Sequence, residues 1–301
     1  MVGIAYIDDA YVPAEEARLP LFDLGFLRGD AVYDTTSVWR GQFFRLDDHI
    51  ARFRRSMAGM RLTCPHDDAA LARILATCVE RAGLDDAFVQ MIVTRGRFPD
   101  PTRRDLRNAV HRFIAFALPY IWIVWPEKQE IGIDVAIVEN RRTPTEAIDP
   151  TVKNFNWMDL QRGMLQGLDR DADNVVLCTP AGHLSEGPGF NLFFVKGGRL
   201  HTPAGNVLEG ITRRTVMELA REAGFAVETG NYGPEALHGA DEAFLSSTAG
   251  GIMPVTRIDG RPLGNGAPGV VTSDLRGLYW RKREAGWLGT PVASLLAAPA
   301  A

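Results

Sequence analysis

Residues 131–258 consist of short apolar runs cut apart by glycine and proline, and this pattern limits the chain to a sheet-centred domain. Ile131–Val138, Asn174–Cys178, Asn191–Lys196, Arg199–Thr202, Phe225–Thr229, Glu242–Ser246 and Met253–Ile258 read as strands, punctuated by Pro180-Ala-Gly182 and Gly197-Gly198. Helical spacing is confined to Asn156–Leu168, Ile211–Ala223 (ended by Gly224) and a stretch near Gly269–Glu284.

The first third also mixes strands and helices. Gly3–Ile7 and Tyr11–Val12 form an expected hairpin around Asp8-Asp9-Ala10, and Thr35–Arg40 and Gln42–Arg45 a second one around Gly41. Asp47 is placed to cap a helix carrying Ile50, Phe53, Met57 and Met60, and a second helix spans Asp67–Ala82 before Gly83. Strands follow at Phe88–Thr94 and Val110–Leu118, and the Pro- and Arg-rich run Arg95–Arg107 between them reads as a functional loop. Phe113–Trp125 is the most apolar stretch; Pro119 interrupts it, and two adjoining buried strands are expected there. It falls short of the roughly 20 residues a membrane helix needs.

The fold class is therefore α/β in the broad sense, α+β with mixed sheets. A chain of 301 residues has room for two cores, divided here into a small domain 1–119, a linker 120–128 and a larger domain 129–301. The terminal Ala298-Pro-Ala-Ala301 reads as a frayed tail.

A net charge of −4 with both signs scattered gives no footprint for nucleic acid and no polybasic membrane patch. Cys64, Cys78 and Cys178 have no CxxC spacing, which argues against a disulfide framework and for buried thiols in a reducing cytoplasm. The six histidines form no HxxxH pair or carboxylate cluster, so no metal site is expected. The N-terminus lacks the basic and long apolar regions of a signal peptide.

Four elements carry chemistry. Lys153 lies between Val152 and Phe155, apolar neighbours that would desolvate its amine and favour a Schiff base; a lone lysine of this kind is more often a snorkelling surface residue. Glu186, in Ser185-Glu-Gly-Pro-Gly189, could face a pyridine nitrogen and keep it protonated, or be a turn glutamate. Gly210-Ile211-Thr212 opens a helix whose first amides suit a phosphate, although a simple capping threonine fits too. Ser247 and Thr248, ahead of Gly250-Gly251, could add hydroxyl donors or serve only the turn. Arg52 could clamp the same phosphate with its fork, and Tyr33 could line a pocket. An amine, a carboxylate and two anion sockets in this order form the equipment for holding pyridoxal 5'-phosphate (PLP) and transferring amino groups.

With Phe22-Asp-Leu-Gly-Phe26, His49-Ile-Ala-Arg52 and Ala249-Gly-Gly-Ile-Met-Pro254, this set resembles the fold-type IV PLP-dependent enzymes over nearly the whole chain. The resemblance implies a small N-terminal α/β domain, a larger C-terminal pseudo-barrel domain, and an active site between domains at a homodimer interface. It implies Lys153 as the Schiff-base lysine and proton carrier, Glu186 as the partner of the ring nitrogen, and Arg52, Ile211, Thr212, Ser247 and Thr248 as the phosphate cup.

Ser37–His49, Pro119–Pro126 and Lys153-Asn-Phe-Asn-Trp157 look most like the (R)-selective amine transaminases of that group, which move an amino group from an amine donor to a keto acid such as pyruvate. Branched-chain or D-amino acid aminotransferases and aminodeoxychorismate lyases are the alternatives. The Arg-x-His carboxylate trap of the D-amino acid enzymes is absent after Thr94-Arg-Gly96, and Asn156-Trp157 replaces the tyrosine of the branched-chain enzymes. Arg28 stands where the amine-transaminase pattern has histidine. Tyr33, Phe155, Trp157 and Ala249 are expected pocket residues, and Arg103, Arg104 or Arg107 is expected to swing in for a carboxylate.

Overall fold

The computed structural model describes residues 2–297, so the expected tail Ala298–Ala301 lies outside the described residues. The chain divides into two compact units. The first holds the residues up to Ile121, the short segment Val152–Asn156 and the chain from Arg283 on; the second holds Trp122–Thr151 and Trp157–Lys282.

The first unit is built on a seven-stranded antiparallel sheet in the order Gly289–Pro291, Gln42–Phe44, Ala31–Trp39, Ala87–Arg97, Val110–Pro119, Ile4–Ile7, Ala10–Pro13. Helices Leu46–Gly59 and Asp68–Ala82 pack on it. Phe53, Leu71 and Leu75 join Val89, Met91 and Ala115 in one core without exposed surface. Asp67 caps the second helix by accepting from the Ala70 N–H at 2.7 Å, and Gly83 ends it in the left-handed conformation.

Three local expectations differ here. Arg45, not Asp47, is the residue before helix Leu46–Gly59, and Asp47 lies in its first turn, where a carboxylate meets the positive helix end. Phe113–Trp125 is not two strands: one strand ends at Pro119, and Pro126, at the first helical position, starts the helix Pro126–Ile131. The strand expected at Phe88–Thr94 runs Ala87–Arg97, which shortens the loop.

The second unit contains a nine-stranded mixed sheet. Phe190–Lys196, Glu242–Ser247 and Gly251–Ile258 pair antiparallel; Ile133–Arg141 and then Asn174–Cys178 continue in parallel. The sheet then returns to its start. Cys178 bridges Leu184, the Ser185 N–H donates to the Leu177 carbonyl at 2.9 Å, and Glu186–Gly187 pairs back onto Phe190–Asn191. That closure makes the barrel and fixes Glu186 at its seam. Gly187 is required there, because a Cβ would lie 2.2 Å from both the Val175 carbonyl oxygen and the Phe190 ring. Leu192, Phe194, Leu245, Met253 and Val255 fill one core of this unit. Among the described residues no helix is long and apolar enough to cross a membrane.

Candidate active site

Lys153 is fastened by its backbone. Along Ala31–Trp39, the short strand Gln42–Phe44 reaches only Val38 and Trp39, leaving the start of that strand unpaired on that edge. The Val152–Asn156 segment fills it: Asn154 bridges Val32, and the Tyr33 N–H donates to the Lys153 carbonyl at 3.0 Å. The Lys153 N–H donates to the buried Ser56 hydroxyl, also at 3.0 Å. Its half-buried side chain brings Nζ to 4.5 Å from the Tyr33 ring centre, a distance at which the ring face attracts a cation. Phe155 stacks at a tilt on Tyr33 with centroids 4.5 Å apart.

Beneath Tyr33 lies Asp34, wholly buried in the same strand. Arg52 donates to it through Nε at 2.7 Å and Nη2 at 2.9 Å, and His49 Nδ1 lies 2.8 Å from it. Burial alone would raise the Asp34 carboxyl; the Arg52 guanidinium and the hydrogen bonds override it and hold the group well below the usual carboxylate range. Burial lowers the His49 imidazole despite Asp34, so His49 is neutral and donates its Nδ1–H. Two donors of the Arg52 fork, Nε and Nη2, thus lie on Asp34.

In the second unit, Glu186 is buried with donors on both oxygens. Arg142 Nη2 donates to Oε1 at 3.2 Å; the Leu208 N–H at 2.9 Å and Asn191 Nδ2 at 3.2 Å donate to Oε2. The same Asn191 amide donates to the Leu208 carbonyl at 2.9 Å. These contacts tie Glu186 to the loop that enters helix Ile211–Glu222.

Gly210 precedes that helix with no side-chain cap, so the first-turn N–H groups of Ile211 and Thr212 have no acceptor within the helix. A Cβ on Gly210 would lie 2.0 Å from Asn191 Oδ1. Ile211 and Thr212 are buried, as is Ser247 at the end of Glu242–Ser247. The Ser247 hydroxyl donates to the Gly189 carbonyl at 2.8 Å and accepts the Ala249 N–H at 3.2 Å. Thr248 is half-buried beside it, and Ala249 is buried with its carbonyl accepting from Ile123.

In this unit Arg142 Nε, Asn206 Oδ1 and Ser246 Oγ are buried without a hydrogen-bond partner. A buried carboxylate with donors on both oxygens, an uncapped helix start, and orphaned buried polar atoms suit a flat, anionic, nitrogen-containing coenzyme. The residues present fit PLP.

Trp157 belongs to the second unit and packs on the core of Leu160, Val175 and Leu177. Arg28 is exposed at the end of helix Leu24–Arg28. Arg107 is held by Asp105 through Nε and Nη2, Arg103 lies 3.6 Å from Asp100, and Arg104 is exposed. Arg103, Arg104, Asp105, Leu106 and Asn108 line an open hollow of about 700 Å³.

Residues 31–258 match the amino-transferase class IV family. The chain is 32% identical over 276 residues to a "putative branched-chain-amino-acid aminotransferase" of Methanocaldococcus jannaschii, covering 90% of this chain and 93% of that protein. It is 30% identical to the D-alanine aminotransferase of Bacillus licheniformis over 87% of this chain and 90% of the relative. The branched-chain amino acid aminotransferase of Thermobaculum terrenum, solved in its PLP-bound holo form, superposes with a TM-score of 0.85 at 26% identity, covering 96% of this chain and 98% of that one. The chain belongs to the class IV amino-transferase family and is a PLP-dependent aminotransferase.

Asp34, His49, Ser56, Arg142 and Asn191 were not singled out from sequence. Asp34 and Asn191 each carry a usable signal: Asp34 is the one charged residue of Ala31–Trp39, and Asn191 is the lone polar residue of Phe190-Asn-Leu-Phe-Phe194. Arg142 carries none, since it follows the equally basic Arg141.

Proposed function

We propose that this aminotransferase uses PLP to exchange the amino group of a branched-chain L-amino acid with a keto acid, by a ping-pong cycle. Glu186 carries the reading: a buried carboxylate with donors on both oxygens, linked through Leu208 and Asn191 to an uncapped helix start, matches the two ends of one phosphorylated pyridine. Bound PLP supplies an electron-withdrawing ring that makes the substrate α-carbon acidic. Lys153 Nζ would hold the coenzyme until the donor's amine displaces it, and the freed amine would then take the substrate α-proton and deliver it within the same half-cycle, the second half-cycle running in reverse. Glu186 holds the proton on the ring nitrogen. The Ile211 and Thr212 amides bind the phosphate, with Thr248 beside them.

The likeness at 32% identity to the Methanocaldococcus jannaschii relative supports this substrate class over the (R)-amine reading. The latter stays as a second reading because the paired rings of Tyr33 and Phe155 beside Lys153 Nζ suit an aryl group. A donor panel of L-leucine, L-valine, D-alanine and (R)- and (S)-1-phenylethylamine, each with 2-oxoglutarate and pyruvate, decides. L-leucine and L-valine are expected to react fastest; preference for (R)-1-phenylethylamine or D-alanine would overturn the assignment.

The working unit is a homodimer. Leu21, Phe22, Phe26 and Leu27 stand 64%, 75%, 64% and 50% exposed, an apolar ridge that a second copy would cover. The ridge is rigid, because Asp23, buried within it, accepts from the Gly25 N–H, the Thr94 hydroxyl and Arg112 Nε. The cytoplasm suits the thiols: burial raises Cys78 to about 12, so it stays protonated and inert.

A further inference from the structure

Arg142 follows the strand Ile133–Arg141, and its backbone N–H donates to the Cys178 carbonyl at 2.8 Å. Its side chain, 12% exposed, lies between two carboxylates: Nη1 donates to Asp159 Oδ2 at 3.0 Å and Nη2 to Glu186 Oε1 at 3.2 Å. Asp159 is itself fixed. The Thr143 N–H and hydroxyl reach Oδ2 at 2.9 and 3.3 Å, and the Leu160 N–H reaches Oδ1 at 2.8 Å. Nε of Arg142 is buried without a partner, so this guanidinium is placed for its two Nη contacts at the expense of its third edge.

We propose that Arg142 is a positioning residue whose charge keeps Glu186 ionised and thereby keeps the proton on the coenzyme's ring nitrogen. The inference rests on the PLP reading above and deepens it. A carboxylate facing a ring nitrogen can exist as an ion pair or, after proton transfer, as a neutral acid and a neutral pyridine. A cation on the far side of the carboxylate favours the first state, because it attracts the near negative charge more than it repels the more distant positive one. Removing the cation moves the proton towards Glu186 and weakens the ring as an electron acceptor. Of the Arg142 donors, Asp159 accepts from Nη1 alone, while Nη2 lies on Glu186. Asp159→Asn keeps a carbonyl acceptor for Nη1, so it disturbs the same network and leaves the cation beside Glu186.

The test uses the holoenzyme loaded with PLP labelled with ¹⁵N at the ring, read by NMR, on wild type, Arg142→Gln, Arg142→Met and Asp159→Asn. The wild-type ring nitrogen is expected in the protonated range. It should move towards the unprotonated range in both Arg142 variants and stay in place in Asp159→Asn. Arg142→Gln keeps a donor and most of the volume, so it serves where Arg142→Met fails to fold. An unchanged ring signal in a PLP-loaded Arg142 variant overturns the proposal. So does an equal shift in Asp159→Asn, which would mean that the network matters for packing alone. Failure of the wild-type protein to bind PLP would instead refute the underlying functional reading.

Discussion

Tyr33 meets Lys153 twice: its backbone N–H donates to the Lys153 carbonyl at 3.0 Å, and its ring centre lies 4.5 Å from Lys153 Nζ. Main chain and side chain of one residue thus position the Lys153 amine. Tyr33→Phe keeps both contacts and should change kcat little. Tyr33→Ala removes the ring face and the stack on Phe155, and a misplacement near 1 Å costs on the order of 10²-fold. Steady-state kinetics on the two variants checks this; equal rates in both would refute it.

Acid should weaken the first unit in a window set by His49. Burial lowers the folded imidazole, while the unfolded one titrates near its ordinary value of about 6.5. Below that value the unfolded chain binds a proton that the folded chain refuses, so stability is present above it and falls as pH drops through it, by at most about 1.4 kcal/mol per pH unit. Asp34, held low, contributes in the same direction but only in stronger acid. Denaturant unfolding at pH 7.5 and 5.5 should show the loss, and His49→Asn should flatten it.

Gly210→Ala adds a Cβ 2.0 Å from Asn191 Oδ1. Gly210 has φ −62° and ψ 134°, which alanine adopts freely, so the penalty is steric contact and not backbone strain. Either Asn191 leaves Glu186 or the helix start shifts, at a cost of about 1–3 kcal/mol. PLP affinity, measured by equilibrium dialysis, should fall by on the order of tenfold or more.

Among the loop arginines, Arg107 is fastened to Asp105 and Arg103 lies near Asp100. Arg104→Ala should therefore raise KM for the keto acid more than Arg107→Ala, with the KM of the amine donor unchanged. Equal effects, or none, would exclude this loop from carboxylate binding.

The strands of both sheets were legible because apolar runs bounded by glycine or proline report local geometry directly, as at Asn174–Cys178, and Asp67 with Gly83 marked both ends of a helix. What escaped depends on distant partners. Gly289–Pro291 is a strand only because Gln42–Phe44 offers it an edge, and three residues carry no periodicity of their own. Lys153 and Glu186 are readable only as members of an ordered set, and their supports, Ser56 and Arg142, lie 97 and 44 residues away in sequence and become visible only with the fold. The same distance effect holds for Arg52: its position on the helix is readable, but its contact with Asp34, 18 residues away, is not.

The account centres on one ε-nitrogen. Holoenzyme reduced with borohydride, digested and sequenced by mass spectrometry should carry the phosphopyridoxyl group on the peptide containing Lys153, at Lys153 itself, and Lys153→Ala should carry none. The adduct on Lys128 or Lys196, or no adduct at all, would contradict it.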